Sequence, residues 1–103
     1  MRMIELDALD WKTLLDFYDA LLVAVGAPEW HGQSIDALAD TMIWSDEINA
    51  VKPPYVVRIR NTARLLADVR EEITAARDWL AKPREEHRMR IGRDVPVAME
   101  IAD

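Results

Sequence analysis

Cysteine is absent from this chain of 103 residues, so disulfides, thiolate metal sites and a cysteine nucleophile are excluded. That composition suits a reducing cytoplasm. Long hydrophobic runs are also missing, because the longest apolar stretch falls far short of the ~20 residues that span a bilayer. The N-terminus has no apolar segment of the secretory kind, so we expect no signal peptide. These absences predict a cytoplasmic protein without a membrane partner.

Basic residues are scarce in the first half of the chain. Residues 1–50 contain ten acidic and two basic residues, a net charge of −8, whereas residues 51–103 contain nine acidic and eleven basic residues, a net charge of +2. The first half would repel a phosphate backbone, which argues against a nucleic-acid partner. The asymmetry favours a basic protein partner, although a surface that serves only solubility would carry the same charge.

Strands and helices alternate along the chain, and its length favours one domain over residues 1–103. Alternating apolar residues predict strands at 2–7, 55–60 and 95–101. Helical segments separate these strands, so the strands should run parallel. The strands also carry charged residues on one face, so helices should cover only the other face. We expect a two-layer α/β domain with a three-stranded parallel sheet, three to four helices, and charges that can pair across the open face.

Capping residues and helix breakers define the predicted helices. Asp10 is the expected N-cap of the first helix, which ends at Gly26. Ser34 is the expected N-cap of the second helix. The third helical region follows the second predicted strand. It contains Pro83, which must break, kink or restart it, and Gly92 is the expected stop.

A helical wheel drawn at about 100° per residue places Asp36, Asp40 and Trp44 on one outward face of the second helix. Two like charges at this spacing repel each other, and an exposed tryptophan is typical of an interface. The pattern therefore indicates an acidic surface that docks a basic partner. The alternative is that the acids are simply solvated and that Trp44 folds back under the loop before Pro53-Pro54.

The loop before the second helix carries Trp30 and His31 next to Gly32. A tryptophan beside a glycine turn can present an anchor to a partner, but Trp30 can equally plug the core. His31 with Asp36 and Asp40 could bind a divalent metal weakly, as part of a metal-assisted enzyme, although nothing in the spacing is specific. No nucleophile elbow or phosphate-binding loop is present. We therefore expect no enzyme activity and no cofactor.

Residues 28–40 read Pro-Glu-Trp-His-Gly-Gln-Ser-Ile-Asp-Ala-Leu-Ala-Asp, and this run resembles the hallmark motif of the barstar family of ribonuclease inhibitors. The similarity extends loosely over nearly the whole chain. It implies a barstar-like fold and an intracellular inhibitor, an antitoxin or immunity protein, that blocks the active site of a basic, barnase-like ribonuclease. An inhibitor must leave its acidic helix free for a partner, so we expect a monomer when the protein is unbound.

The resemblance also implies roles for single residues. Asp40 would occupy the phosphate position of the nuclease, Asp36 would pair with an arginine, and Trp30 would stack on the catalytic histidine. Ala39 stands where the family has a tryptophan, which Trp44 could replace. The late acidic contact would be Glu85 or Glu86. The implied partner-binding residues are Trp30, His31, Gly32, Gln33, Ser34, Asp36, Ala37, Ala39, Asp40, Ile43, Trp44 and Glu86.

Two other functions stay open at this point. The fold could serve as an interaction module for a different basic toxin or for a partner that is not a nuclease. It could also self-associate through the face formed by Trp30 and Trp44. The remaining histidine, His87, lies among charged residues and is expected to be solvated.

Overall fold

The computed structural model describes residues 2–27, 34, 37, 38, 40–44 and 49–102, with the backbone alone at 40 and 41. The strands are β1 (Arg2–Asp7), β2 (Tyr55–Arg60) and β3 (Val97–Ile101). The helices are α1 (Leu14–Val25), α2 (Ala67–Trp79) and α3 (Ala81–Ile91), and a π-helical turn spans Asp40–Trp44.

The three strands form one parallel sheet in the order β1–β2–β3, which confirms the predicted α/β arrangement. Alternation along β2 separates two faces, because successive side chains of a strand point in opposite directions. Tyr55, Val57 and Ile59 are buried in the apolar core, whereas Arg58 and Arg60 are exposed. The helical layer therefore covers one face of the sheet.

The open face of the sheet carries charges that pair across strands, as the alternation predicted. Register places Glu5, Arg58 and Glu100 side by side on the three strands. The Glu5 carboxylate lies 3.9 Å from Arg58 Nη1 and 3.4 Å from Arg60 Nη1. All these side chains are exposed to solvent, so their ion pairs add little to the stability of the fold.

Helix α1 begins later than the sequence indicated, and its N-cap is Thr13 rather than Asp10. Thr13 Oγ1 accepts a hydrogen bond from Asp16 N at 3.3 Å, and Asp16 Oδ2 accepts from the backbone of Lys12 at 2.7 Å and of Thr13 at 3.1 Å. This capping box satisfies donors that the helix itself leaves free. The backbone bonds hold the pKa of Asp16 below its usual value.

Helix α1 ends at Gly26, as predicted, and the chain returns to the same point at Ala50. Gly26 has a φ of +71°, a left-handed conformation that glycine adopts without steric cost. Ala50 N donates to Gly26 O and Val51 N donates to Val25 O, both at 3.1 Å. A Cβ atom at Gly26 would lie 2.4 Å from the Cβ of Ala50, so the close approach also requires glycine. We call this pair of hydrogen bonds the Gly26–Ala50 clasp.

The third helical region consists of two helices, α2 and α3, with Leu80 between them. Pro83 is the third residue of α3, where its missing N–H costs no helical hydrogen bond. Gly92 ends α3 in the left-handed conformation, and its N–H donates to Arg88 O at 2.9 Å. Of the predicted break, kink or restart, the structure shows a restart, with Pro83 in the first turn of α3, and the predicted stop at Gly92 is confirmed.

Candidate functional site

Ser34 is the N-cap that the sequence predicted for the second helical segment. Its side-chain oxygen accepts a hydrogen bond from Ala37 N at 3.1 Å, and its backbone oxygen accepts from Leu38 N at 3.1 Å. Ser34 is exposed and Ala37 is half-buried, so both lie at the edge of the molecule. The cap fixes where the segment that carries the predicted acidic residues begins.

The inner side of this segment is anchored in the core. Leu38, Met42 and Ile43 are 1%, 0% and 0% exposed. The expectation that Ile43 contacts a partner is corrected, because a fully buried side chain cannot reach one. Ile43 instead holds the π-helical turn against the core.

Trp44 closes the π-helical turn and packs against α3. Its ring centroid lies 4.9 Å from that of His87, at an interplanar angle of 58°, and the guanidinium of Arg90 lies 5.9 Å from the ring centroid. The wheel assumed α-helical winding as far as Trp44, but the i→i+5 bonding of a π-helix changes the direction of each side chain. Trp44 is therefore half-buried against α3 and does not point fully outward.

His87 is 4% exposed, so the expectation of a solvated histidine is wrong. Its Nδ1 lies 2.9 Å from the backbone oxygen of Arg93, which can only accept, so Nδ1 carries the proton of this bond. Leu80, Pro83 and His87 are all buried and are spaced by three and four residues. That helical spacing was the signal in the sequence that places His87 on the inner side of α3.

The two candidates for the late acidic contact differ in their surroundings. Glu85 is paired with Arg88, whose hydrogen bonds hold the pKa of the Glu85 carboxyl below its usual value. Glu86 is exposed, and no cation among the described residues forms an ion pair with it. The arrangement favours Glu86 as the carboxylate that can meet a partner.

The remaining predicted site residues lie outside the described residues: Trp30, His31, Gly32, Gln33, Asp36 and Ala39. Asp40 is described by its backbone alone, as the first residue of the π-helical turn. The metal hypothesis for His31, Asp36 and Asp40 therefore also falls outside the described residues. Within the part of the chain that the structure describes, no three acidic or histidine side chains are grouped closely enough to hold a metal ion.

Comparison with known proteins identifies one family. The family model described as "Barstar (barnase inhibitor)" matches residues 1–99, nearly the whole chain, which confirms the resemblance seen in residues 28–40. A search of curated proteins finds no match. Among the described residues, no helix is both long enough and apolar enough to cross a membrane.

Proposed function

This chain belongs to the barstar family, and from that premise we propose that it is an antitoxin or immunity protein that inhibits a basic ribonuclease. It acts in the cytoplasm as a monomer, without cofactor or catalytic activity of its own. Its acidic segment and the preceding loop block the active site of the enzyme. The proposed contact residues are Trp30, His31, Gly32, Gln33, Ser34, Asp36, Ala37, Ala39, Asp40, Trp44 and Glu86.

The distribution of charge is the observation that carries this proposal. Residues 1–50, which include the family motif, have a net charge of −8. A ribonuclease binds the phosphates of its substrate with cationic side chains, and an acidic surface can occupy the same cations. Complementary charge also raises the rate at which the two proteins meet.

The anchoring of the acidic segment supports the proposal as well. The segment begins at the Ser34 cap, and its Met42 and Ile43 side chains are buried in the core. Its Trp44 ring contacts His87 of α3. The Asp40 backbone then belongs to a turn whose Met42 and Ile43 side chains are anchored in the core. Less conformational entropy is lost on association, which favours tight inhibition.

The contacts of Trp44 argue against self-association through the face formed by Trp30 and Trp44. Its ring is half-buried and contacts His87 and Arg90 of the same molecule. A second copy would have only the remaining part of the ring to bind. No observation favours the homodimer over the inhibitor.

Inhibition of barnase tests the proposal. Cleavage of RNA by barnase is measured with the wild-type chain, Asp40→Asn and Asp10→Asn, at ionic strengths of about 0.01 M and about 1 M, where the screening length falls from ~30 Å to ~3 Å. We expect inhibition by the wild type that weakens in high salt and is lost in Asp40→Asn. Asp10 is exposed and lies outside the proposed surface, so Asp10→Asn controls for the loss of one charge.

Three results would count against the proposal. Absence of inhibition at both salt concentrations would exclude a barnase-type target. Equal weakening by both substitutions would mean that only the net charge matters. A lower melting temperature of Asp40→Asn would mean that Asp40 serves the fold and not the interface.

A further inference from the structure

We propose that Arg90, held over the ring of Trp44, selects target enzymes that place an acidic side chain opposite it. This inference rests on the proposed function, because it concerns the partner of the same surface. It adds one requirement: a target must be basic where it meets Asp40 and must carry an acidic side chain where it meets Arg90.

The first observation is the position of the Arg90 side chain over the ring of Trp44. Its guanidinium carbon lies 5.9 Å from the centroid of the Trp44 ring, within the range of a cation–π interaction. Trp44 is itself held by His87, 4.9 Å away, which is buried and bonded to the backbone of Arg93. The positive charge is therefore located next to the π-helical turn that begins at Asp40.

The second observation is that this charge has no counter-ion among the described residues. The other two arginines of α3 are paired: Arg84 with Asp94, at 2.8 Å and 2.7 Å, and Arg88 with Glu85. Arg90 is exposed and forms no ion pair with any carboxylate in the described part of the chain. Glu86, four residues before it on the same helix, also remains unpaired there.

A cation beside the π-helical turn, without an ion pair among the described residues, has a consequence for binding. A basic enzyme would be repelled at this position, and covering the guanidinium would remove it from water without compensation. An acidic side chain on the enzyme removes both penalties. The same arginine then disfavours enzymes that carry a basic side chain there, which is how an interface achieves specificity through repulsion.

A charge-selection experiment tests this inference. A display library of catalytically disabled barnase, with its surface positions varied among Asp, Asn and Lys, is selected against the wild-type chain, Arg90→Gln and Arg90→Glu. We expect the wild type to enrich an acidic residue at one position by about tenfold, the effect of about 1.4 kcal/mol. Arg90→Glu should enrich lysine at the same position, and Arg90→Gln should enrich neither.

A second variant tests whether Trp44 positions the charge. In Trp44→Leu the arginine loses the ring beneath it, so the enriched acidic residue should spread over several neighbouring positions of barnase. If Trp44→Leu lowers the melting temperature too far for use, Trp44→Phe, which keeps a smaller ring, should retain the selected position.

The outcomes separate this inference from the proposed function. If the wild type captures no barnase variant, the proposed function fails and this inference fails with it. If the wild type captures variants but the selected charge does not change sign with residue 90, only the role of Arg90 is overturned. Selection at one position that follows the sign of residue 90 supports both.

Discussion

The two halves of the chain stabilise their carboxylates in different ways. In the second half arginines do so: Arg84 donates two hydrogen bonds to Asp94, and Arg88 binds Glu85. These bonds hold the pKa of Asp94 and of Glu85 below the usual values. Basic residues also outnumber acidic ones there, so residues 51–103 have a net charge of +2.

In the first half, donors without charge play the larger part. Asp7 accepts from Asn61 Nδ2 at 2.8 Å and from Leu9 N at 3.0 Å, and Asp16 accepts from the backbone at the start of α1. These bonds lower the pKa of both carboxyls without removing their charge. Acidic side chains can therefore accept hydrogen bonds within the fold and still attract a basic partner through their negative charge.

The sharpest test of this comparison removes one carboxylate from each half. Asp40→Ala should reduce the affinity for a ribonuclease target by about 3 kcal/mol, because the enzyme's cations would be left buried and unpaired, while the melting temperature stays the same. Asp94→Ala should do the reverse and lower stability but not affinity, because its partner is Arg84 of the same chain. Calorimetric titration and thermal melting of both variants measure the two effects; a loss of stability in Asp40→Ala would break the contrast.

The clasp predicts the largest effect on stability in the first half. Gly26→Ala should lower the free energy of unfolding by about 2 kcal/mol, because alanine disfavours a positive φ and its Cβ would collide with that of Ala50. Urea unfolding measures the change. Gly92→Ala is the matched control: it has a similar φ of +79° but nothing within 4 Å of the added Cβ, so its cost should be smaller. Equal costs would mean that backbone conformation alone decides both.

The capping box predicts a smaller effect. Thr13→Ala should cost about 1 kcal/mol of stability, because the N–H of Asp16 loses its side-chain acceptor and keeps only the backbone oxygen of Thr13, at 3.2 Å. Asp10→Ala, at the cap position that the sequence favoured, should leave the melting temperature unchanged. Thermal melting of the two variants distinguishes them, and a larger loss in Asp10→Ala would contradict the cap that the structure shows.

The smallest expected effect is the loss of folding stability at acidic pH. Because the pKa of Asp16 and that of Asp94 are lowered in the folded state, their stabilising contributions are present above the usual value of 3.8 and disappear as the pH falls through the lowered pKa. Stability should therefore fall below about pH 4. High salt should weaken the contribution of the Arg84–Asp94 pair more than that of the backbone-bonded Asp16. Acid unfolding of Asp16→Asn and Asp94→Asn at two salt concentrations checks the difference.

Much of the fold could be predicted because local patterns and tertiary packing agree. Alternation in β2 places Tyr55, Val57 and Ile59 in the core, and Gly26 and Gly92 end helices. The start of α1 was misplaced because Asp10 and Thr13 are both good caps. Only Thr13 has an acidic residue three positions later that completes a capping box.

The candidate site was less predictable because it depends on winding and on contacts between distant segments. A wheel at the α-helical angle cannot anticipate a π-helical turn, so the direction of Trp44 was missed. The prediction for His87 is wrong because it relied on the charged neighbours of His87 in sequence. The helical spacing of His87 from the buried Leu80 and Pro83 indicates the inner side of the helix instead. The contact of both aromatic rings links segments more than forty residues apart, which no local pattern encodes.

The Gly26–Ala50 clasp has a consequence for how such a scaffold can diversify. Its two hydrogen bonds close the chain at the points where residues 27–49 leave and rejoin the rest of the molecule. Changes inside that interval at positions other than the buried Leu38, Met42 and Ile43 need not move β1, β2 or α1, because the ends of the interval are already joined. The other positions of the interval can therefore vary and give one sheet and one set of helices a new recognition surface.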